Sequence, residues 1–157
     1  EMKTLDWLLN KYGESHLNTT NKLIHWICVP SIVFSLVGLL KSIPFLVSRD
    51  MFLNWAGFVL IGALVYYLRL SISMFLGFCV ISFLVLWGNH KIFLAMDRSY
   101  GGLALFSILL FTIAWIGQFI GHKIEGKKPS FLEDIQFLLI GPAWLLHFIY
   151  TKLGIRY

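Results

Sequence analysis

The sequence predicts an all-α integral membrane protein: a helical bundle of four to five transmembrane segments behind an N-terminal interfacial amphipathic helix. Three observations predict it. Of 157 residues, 58% are hydrophobic and only 13% charged, whereas soluble domains run about 45–50% apolar and about 25% charged. Thirteen Lys/Arg and eight Asp/Glu are too few to coat a water-exposed surface of this size, and the mean hydropathy is +0.77. Several charge-free stretches also approach the roughly 20 residues needed to cross about 30 Å of hydrocarbon. Disorder, a collagen-like fibre and a disulfide scaffold are excluded, because the chain is apolar and has 13 Gly and two Cys. Residues 1–157 form one domain, without internal repeat or low-complexity linker.

Residues 1–22 hold the interfacial helix and a bend. Leu5, Trp7, Leu8, Leu9 and Tyr12 recur at helical spacing, with Lys3, Asp6, Asn10 and Lys11 on the other side. Gly13 ends this helix, and Asn18-Thr19-Thr20-Asn21 supplies the cap of the next. No apolar core of a signal peptide lies in the first 22 residues, so insertion is expected to rely on the internal segments. Spans follow at 23–40, 51–68, 70–89 and 99–122; Pro30 near the start of the first is tolerated if neighbours satisfy the freed carbonyl. The fifth segment, 131–151, has a shorter charge-free part at 135–151, with Gly141-Pro142 in its middle. It either crosses as a fifth span or dips in and returns as a re-entrant hairpin. With alternating spans, Lys3, Lys11, Lys22, Arg69, Lys123, Lys127 and Lys128 share one side. Lys41, Arg49, Lys91 and Arg98 lie on the other, joined by Lys152 and Arg156 if the fifth segment crosses. That bias favours a cytoplasmic N-terminus.

The formal charge of +5 and the isoelectric point near 9.3 do not indicate nucleic acid. The basic residues stand singly or in small groups between apolar runs, as at Lys41, Arg49, Arg69, Lys91 and Arg98, where they favour anionic headgroups. Cys28 and Cys79 lie inside apolar runs and read as small core fillers. No HExxH, CxxC or HxxHH cluster and no G-x-S-x-G elbow is present, which argues against zinc proteases, desaturases and serine hydrolases. Asp97-Arg98 and Glu133-Asp134 read as solvated turn charges. Trp26, Trp55, Trp87, Trp115 and Trp144 read as interfacial anchors or packing residues.

Five histidines remain, and ionisable groups in or beside apolar segments are functional candidates by default. Span parity sorts them. His16 and His25 lie at the start of the first span and His122 at the end of the fourth, on the same side. His90, at the end of the third, faces the opposite surface. His147 joins the first group only if the fifth segment is re-entrant. On one straight helix His16 and His25, nine residues apart, would point to opposite faces; they converge only if the chain bends between Gly13 and Asn21. His122 and Glu125 are three apart and share a helical face. Imidazoles gathered at one membrane face suit Fe, Zn, Cu or Ni; the plainer alternative is interfacial histidines bonded to headgroups.

Trp7, Tyr12-Gly13, His16, Asn18, Asn21 and Ile24-His25-Trp26 with Pro30 resemble the N-terminal signature of the membrane 2-hydroxy fatty acid dioxygenases. The run Gln118-Phe119-Ile120-Gly121-His122, then Glu125-Gly126-Lys127-Lys128-Pro129, is similar to the second signature, and Gly141-Pro142 to a weaker third. The resemblance implies an Fe(2+) enzyme of fatty-acid α-oxidation, of the kind used in phytosphingosine breakdown. Such an enzyme shortens a 2-hydroxy fatty acid by one carbon with O2 and without 2-oxoglutarate. It implies His16, His25 and His122 as metal ligands, with His147 as a fourth. In that mechanism the substrate's 2-hydroxyl and carboxylate would chelate the metal. Lys123, Lys127 or Lys128 would attract the carboxylate, and Glu125 would orient a ligand histidine as an outer acceptor. The acyl tail would lie among the spans, in contact with membrane lipid, in a bacterial inner membrane or the endoplasmic reticulum. Two other readings stay open: a non-catalytic lipid-binding or transport protein, and a zinc lipid hydrolase that turns over without O2.

Overall fold

The computed structural model describes residues 5–14, 16–126 and 136–157, with side chains described from 139 in the last segment. Among the described residues there are six helices and no strand: α1 (Leu5–Gly13), α2 (Thr19–Ser42), α3 (Trp55–Leu70), α4 (Ile72–Ala95), α5 (Tyr100–Glu125) and α6 (Gln136–Leu153). The chain is an all-helical membrane bundle. α2, α4 and α5 have 24, 24 and 26 residues, roughly 36–39 Å each at about 1.5 Å per residue. α3, with 16 residues, is shorter. Large apolar side chains such as Ile27, Phe58, Val80, Leu105 and Ile113 are exposed on these helices, as a lipid-facing surface requires.

Element ends differ from the sequence expectation where polar side chains satisfy the backbone. The stretch at 51–54 is a turn: Asp50 Oδ1 accepts from the amides of Phe52 and Leu53, and Asn54 caps α3 by accepting from Gly57 N. α4 runs past residue 89 to Ala95, because Asn89 is absorbed into the bundle. Its side-chain amide donates to the carbonyls of Phe34 and Val85.

α2 and α5 form the closest pair, and two glycines permit it. A Cβ on Gly117 would stand 2.6 Å from Cys28 Sγ, and one on Gly121 2.4 Å from Asn21 Oδ1. Small residues one turn apart let helix backbones approach in a membrane. Gly121→Ala is therefore expected to destabilise the fold by about 1–3 kcal/mol through overpacking, seen as a lowered thermal midpoint in detergent. Gly62→Ala, where nothing lies within 4 Å of the new methyl, should leave the midpoint unchanged or raised.

α1 and α6 pack together at the end of the bundle where α2 begins. Leu5, Leu8, Leu9 and Tyr12 are buried in one cluster with Ile140, Ala143, Trp144, Tyr67, Met74 and Phe78. The amphipathic face of α1 is thus covered by protein. Trp7, expected on that face, is 45% exposed, since positions 5, 8, 9 and 12 define the stripe and position 7 lies off it.

α6 corrects the expectation for the fifth segment. It is one helix through Gly141-Pro142, because proline removes a donor yet tolerates helical φ, and α1 packs against it. Tyr67 Oη donates to Leu139 O at 2.7 Å and Tyr150 Oη to Ser73 O at 2.5 Å. Tyr67 and Ser73 flank the tight α3–α4 connection, so α6 is held at two points about 16 Å apart along its axis, both at one end of the bundle. A single helix through Gly141-Pro142 leaves no hairpin turn there.

Candidate active site

Three histidines meet where α1, α2, α5 and α6 converge. His16 follows the end of α1, with its amide on Gly13 O at 3.0 Å, before Asn18 caps α2 by accepting from Thr20 N and Asn21 N. This is the bend that turns His16 back onto His25. Their ring centroids are 4.3 Å apart, and His16 lies 5.1 Å from His122 on α5. Relative exposures are 2%, 0% and 6% for His16, His25 and His122, so all three rings are withdrawn from solvent.

Hydrogen bonds fix two of the tautomers. His16 Nδ1 donates to Tyr12 O at 2.9 Å, leaving Nε2 with a lone pair. His25 Nδ1 donates to Gln118 Oε1 at 3.2 Å, so its Nε2 accepts from Tyr12 Oη at 2.5 Å. His16 Nε2 and His122 Nδ1 are buried and have no hydrogen-bond partner among the described residues. An unsatisfied buried polar atom costs about 1–3 kcal/mol, so two in one cluster point to something they are built to bind. Tyr12 stacks on His16 at 4.5 Å, and Trp144 closes another side, 5.1 Å from His16 and 5.5 Å from His25.

Burial, reinforced by the neighbouring His122, pushes the His16 pKa down to about 4; the Tyr12 carbonyl and Glu125 oppose the shift. Burial pushes the Tyr12 hydroxyl up. The folded His16 value lies below its ordinary 6.5, so the unfolded chain binds the extra proton first. Stability is complete above about pH 6.5 and is lost as pH falls toward 4, by roughly 3 kcal/mol at about 1.4 per pKa unit. Unfolding midpoints in detergent across pH 4–7 should fall in that direction, and His16→Gln should make the fall smaller.

Glu125 sits one turn beyond His122, but its carboxylate does not hold a histidine. Oε1 accepts from Leu17 N at 3.0 Å, and Oε2 from Asn18 N at 2.8 Å and Asn21 Nδ2 at 3.2 Å. It ties the His16 loop to α5, which corrects the expected role. His147 lies at this end of the bundle because α6 does, yet its ring packs on Phe148 and Tyr157, and its Nδ1 is engaged by Tyr157 Oη. It stands outside the three-ring cluster. Lys123 is exposed on α5, while Lys127 and Lys128 fall outside the described residues. His90 is at the far end, where it accepts from buried Lys41 at 3.2 Å.

Sequence reasoning gave no site role to Tyr12, Gln118 or Trp144. Gln118, an amide inside an apolar run and four residues before His122, was a usable signal, as was Tyr12 four before His16. Trp144 carried none. Beside the cluster a cleft of about 520 Å³ opens between α1, its following loop and α6, with His16, Lys22, Trp144, His147 and Phe148 among its walls.

Among the described residues, no group of three or more His, Cys, Asp or Glu is arranged to hold a metal ion as it stands. The donor types are nonetheless those that a first-row metal ion takes. Two imidazole nitrogens are buried and unpartnered, and the third is engaged by a single tyrosine hydroxyl. Nδ1–H bonds to a carbonyl and to an amide oxygen are the outer contacts that orient histidine ligands.

A profile of the family described as "2-hydroxy-palmitic acid dioxygenase Mpo1-like" matches residues 2–153. The 2-hydroxy-palmitic acid dioxygenase MPO1 of Saccharomyces cerevisiae is 28% identical over 148 residues, covering 93% of this chain and 79% of the yeast protein. No solved structure matches.

Proposed function

This chain belongs to the Mpo1-like family, and from that premise we propose that it is an oxidoreductase, an iron(II)-dependent dioxygenase acting on 2-hydroxy fatty acids. The observation that carries the reading is the cluster of three buried imidazoles from three elements, two with unpartnered nitrogens. The reaction takes a 2-hydroxy acid and O2 to the acid one carbon shorter, CO2 and water. The bond between carbons 1 and 2 breaks, carbon 2 becomes the new carboxyl, and the four electrons taken by O2 all come from the substrate. No 2-oxoglutarate or external reductant is needed.

His16, His25 and His122 would hold the metal through ring nitrogens. When bound, iron(II) held by few protein ligands supplies open positions for activating O2. The protein contributes the surroundings. Gln118 and the Tyr12 carbonyl set which nitrogen of His25 and His16 carries the proton. Tyr12 and Trp144 wall the cluster with aromatic surface, which excludes water. The apolar exterior of α2 and α5 offers the acyl chain a lipid-like path.

Oxygen uptake by the purified chain with 2-hydroxypalmitate, before and after iron loading, tests the proposal. One O2 consumed per acid shortened, dependent on added Fe(II), is expected. Full turnover in metal-stripped protein would overturn the metal assignment. Folded, iron-loaded protein that binds the acid but consumes no O2 would leave a lipid-binding protein instead.

A further inference from the structure

The cleft beside His16 is lined by a lysine that neither the reaction nor the three histidines explain. Lys22 lines it, in the opening turns of α2 and three residues before His25, so the two share a face. The first turn of α2 contains no acidic residue, although a helix N-terminus favours anions and disfavours a lysine. Among the described residues neither Glu14 nor Glu125 forms an ion pair with it: Glu14, which also lines the cleft, pairs with Lys11 at 3.2 Å, and Glu125 accepts from Leu17, Asn18 and Asn21. The same cleft is lined by His16, 2% exposed with Nε2 unpartnered, and by the apolar walls of Leu9, Trp144 and Phe148. A cation at the rim, a buried nitrogen acceptor and an apolar wall describe a receptor for an acid with a long hydrocarbon tail.

We propose that Lys22 is the substrate-binding cation: its ammonium holds the carboxylate of a long-chain acid in this cleft, with the adjoining carbon turned toward His16. The proposal rests on the dioxygenase reading for the identity of the acid, and it replaces Lys123 with a residue that faces the cleft.

The test is direct binding of radiolabelled palmitate, which lacks the 2-hydroxyl and is not turned over, to the full chain in detergent. Methyl palmitate serves as the uncharged control. Wild-type protein should prefer the acid to the ester. Lys22→Gln should weaken palmitate about 10- to 100-fold, the worth of one charge-assisted hydrogen bond, and leave the ester unchanged. Lys22→Arg should keep the acid within a few-fold. An unchanged palmitate affinity in Lys22→Gln would overturn the proposal. So would an equal loss for the ester, a loss in Lys22→Arg as large as in Lys22→Gln, or a wild type indifferent to the carboxylate. Because palmitate binding needs no turnover, failure of the oxygen-uptake experiment and failure here are separate results.

Discussion

Replacing His122 with alanine is expected to eliminate iron retention and 2-hydroxy-acid oxidation while leaving the bundle folded. The reason lies in what His122 does not do. Its Nδ1 is buried without a partner among the described residues, so the substitution breaks no hydrogen bond at that atom and removes an unsatisfied one, worth about 1–3 kcal/mol in the variant's favour. The cavity left by the ring opposes this with a penalty of similar size. The two effects offset, and the thermal midpoint should move by only a few degrees. Activity should fall by more than about 100-fold, the upper figure for removing a mere outer partner of a metal ligand. His25→Ala provides the contrast, since it strands Tyr12 Oη and Gln118 Oε1 and should lose stability along with activity. Metal analysis, oxygen uptake and thermal unfolding on the two variants separate the roles. A His122→Ala protein that keeps iron and turnover would end the metal assignment.

The gathering of these rings was readable from span parity, because parity needs only the number of crossings between residues 25 and 122 and not their packing. The bend before α2 was readable too, from Gly13 and the Asn18 cap. The path of α6 was not. A helix that crosses and one that lies across the bundle end have the same apolar composition. What positions it against the bundle is the pair of tyrosine hydroxyls, Tyr67 and Tyr150, anchored to backbone carbonyls more than 70 residues away in sequence. The same limit hid Lys22, since nothing local shows that it borders a cleft whose far wall is Trp144. It also misdirected Glu125. Three-residue spacing suggested a contact with His122, whereas the partners that satisfy the carboxylate are Leu17, Asn18 and Asn21, around the start of α2.

That misreading makes Glu125 the most informative of the remaining residues. Glu125→Ala removes three charge-assisted hydrogen bonds, but Leu17 and Asn18 are exposed and their amides can turn to water. The stability loss should therefore be modest, roughly 1–3 kcal/mol. The effect on function should be larger. With the clamp gone, His16 is no longer registered against His122, and a misplacement near 1 Å can cost about 100-fold in rate. Glu125→Gln keeps one acceptor oxygen and should fall between wild type and alanine. Iron affinity distinguishes positioning from mere support: Fe(II) should raise the thermal midpoint of the wild type more than that of Glu125→Ala, because stabilisation by a ligand follows its affinity for the folded state. The decisive comparison is the double variant. If Glu125 acts through His16, then in a His16→Ala background Glu125→Ala should change iron affinity little, a non-additivity that two independent sites would not show. Additive losses would instead mean that Glu125 staples the loop to α5 and contributes nothing to how the histidines are arranged.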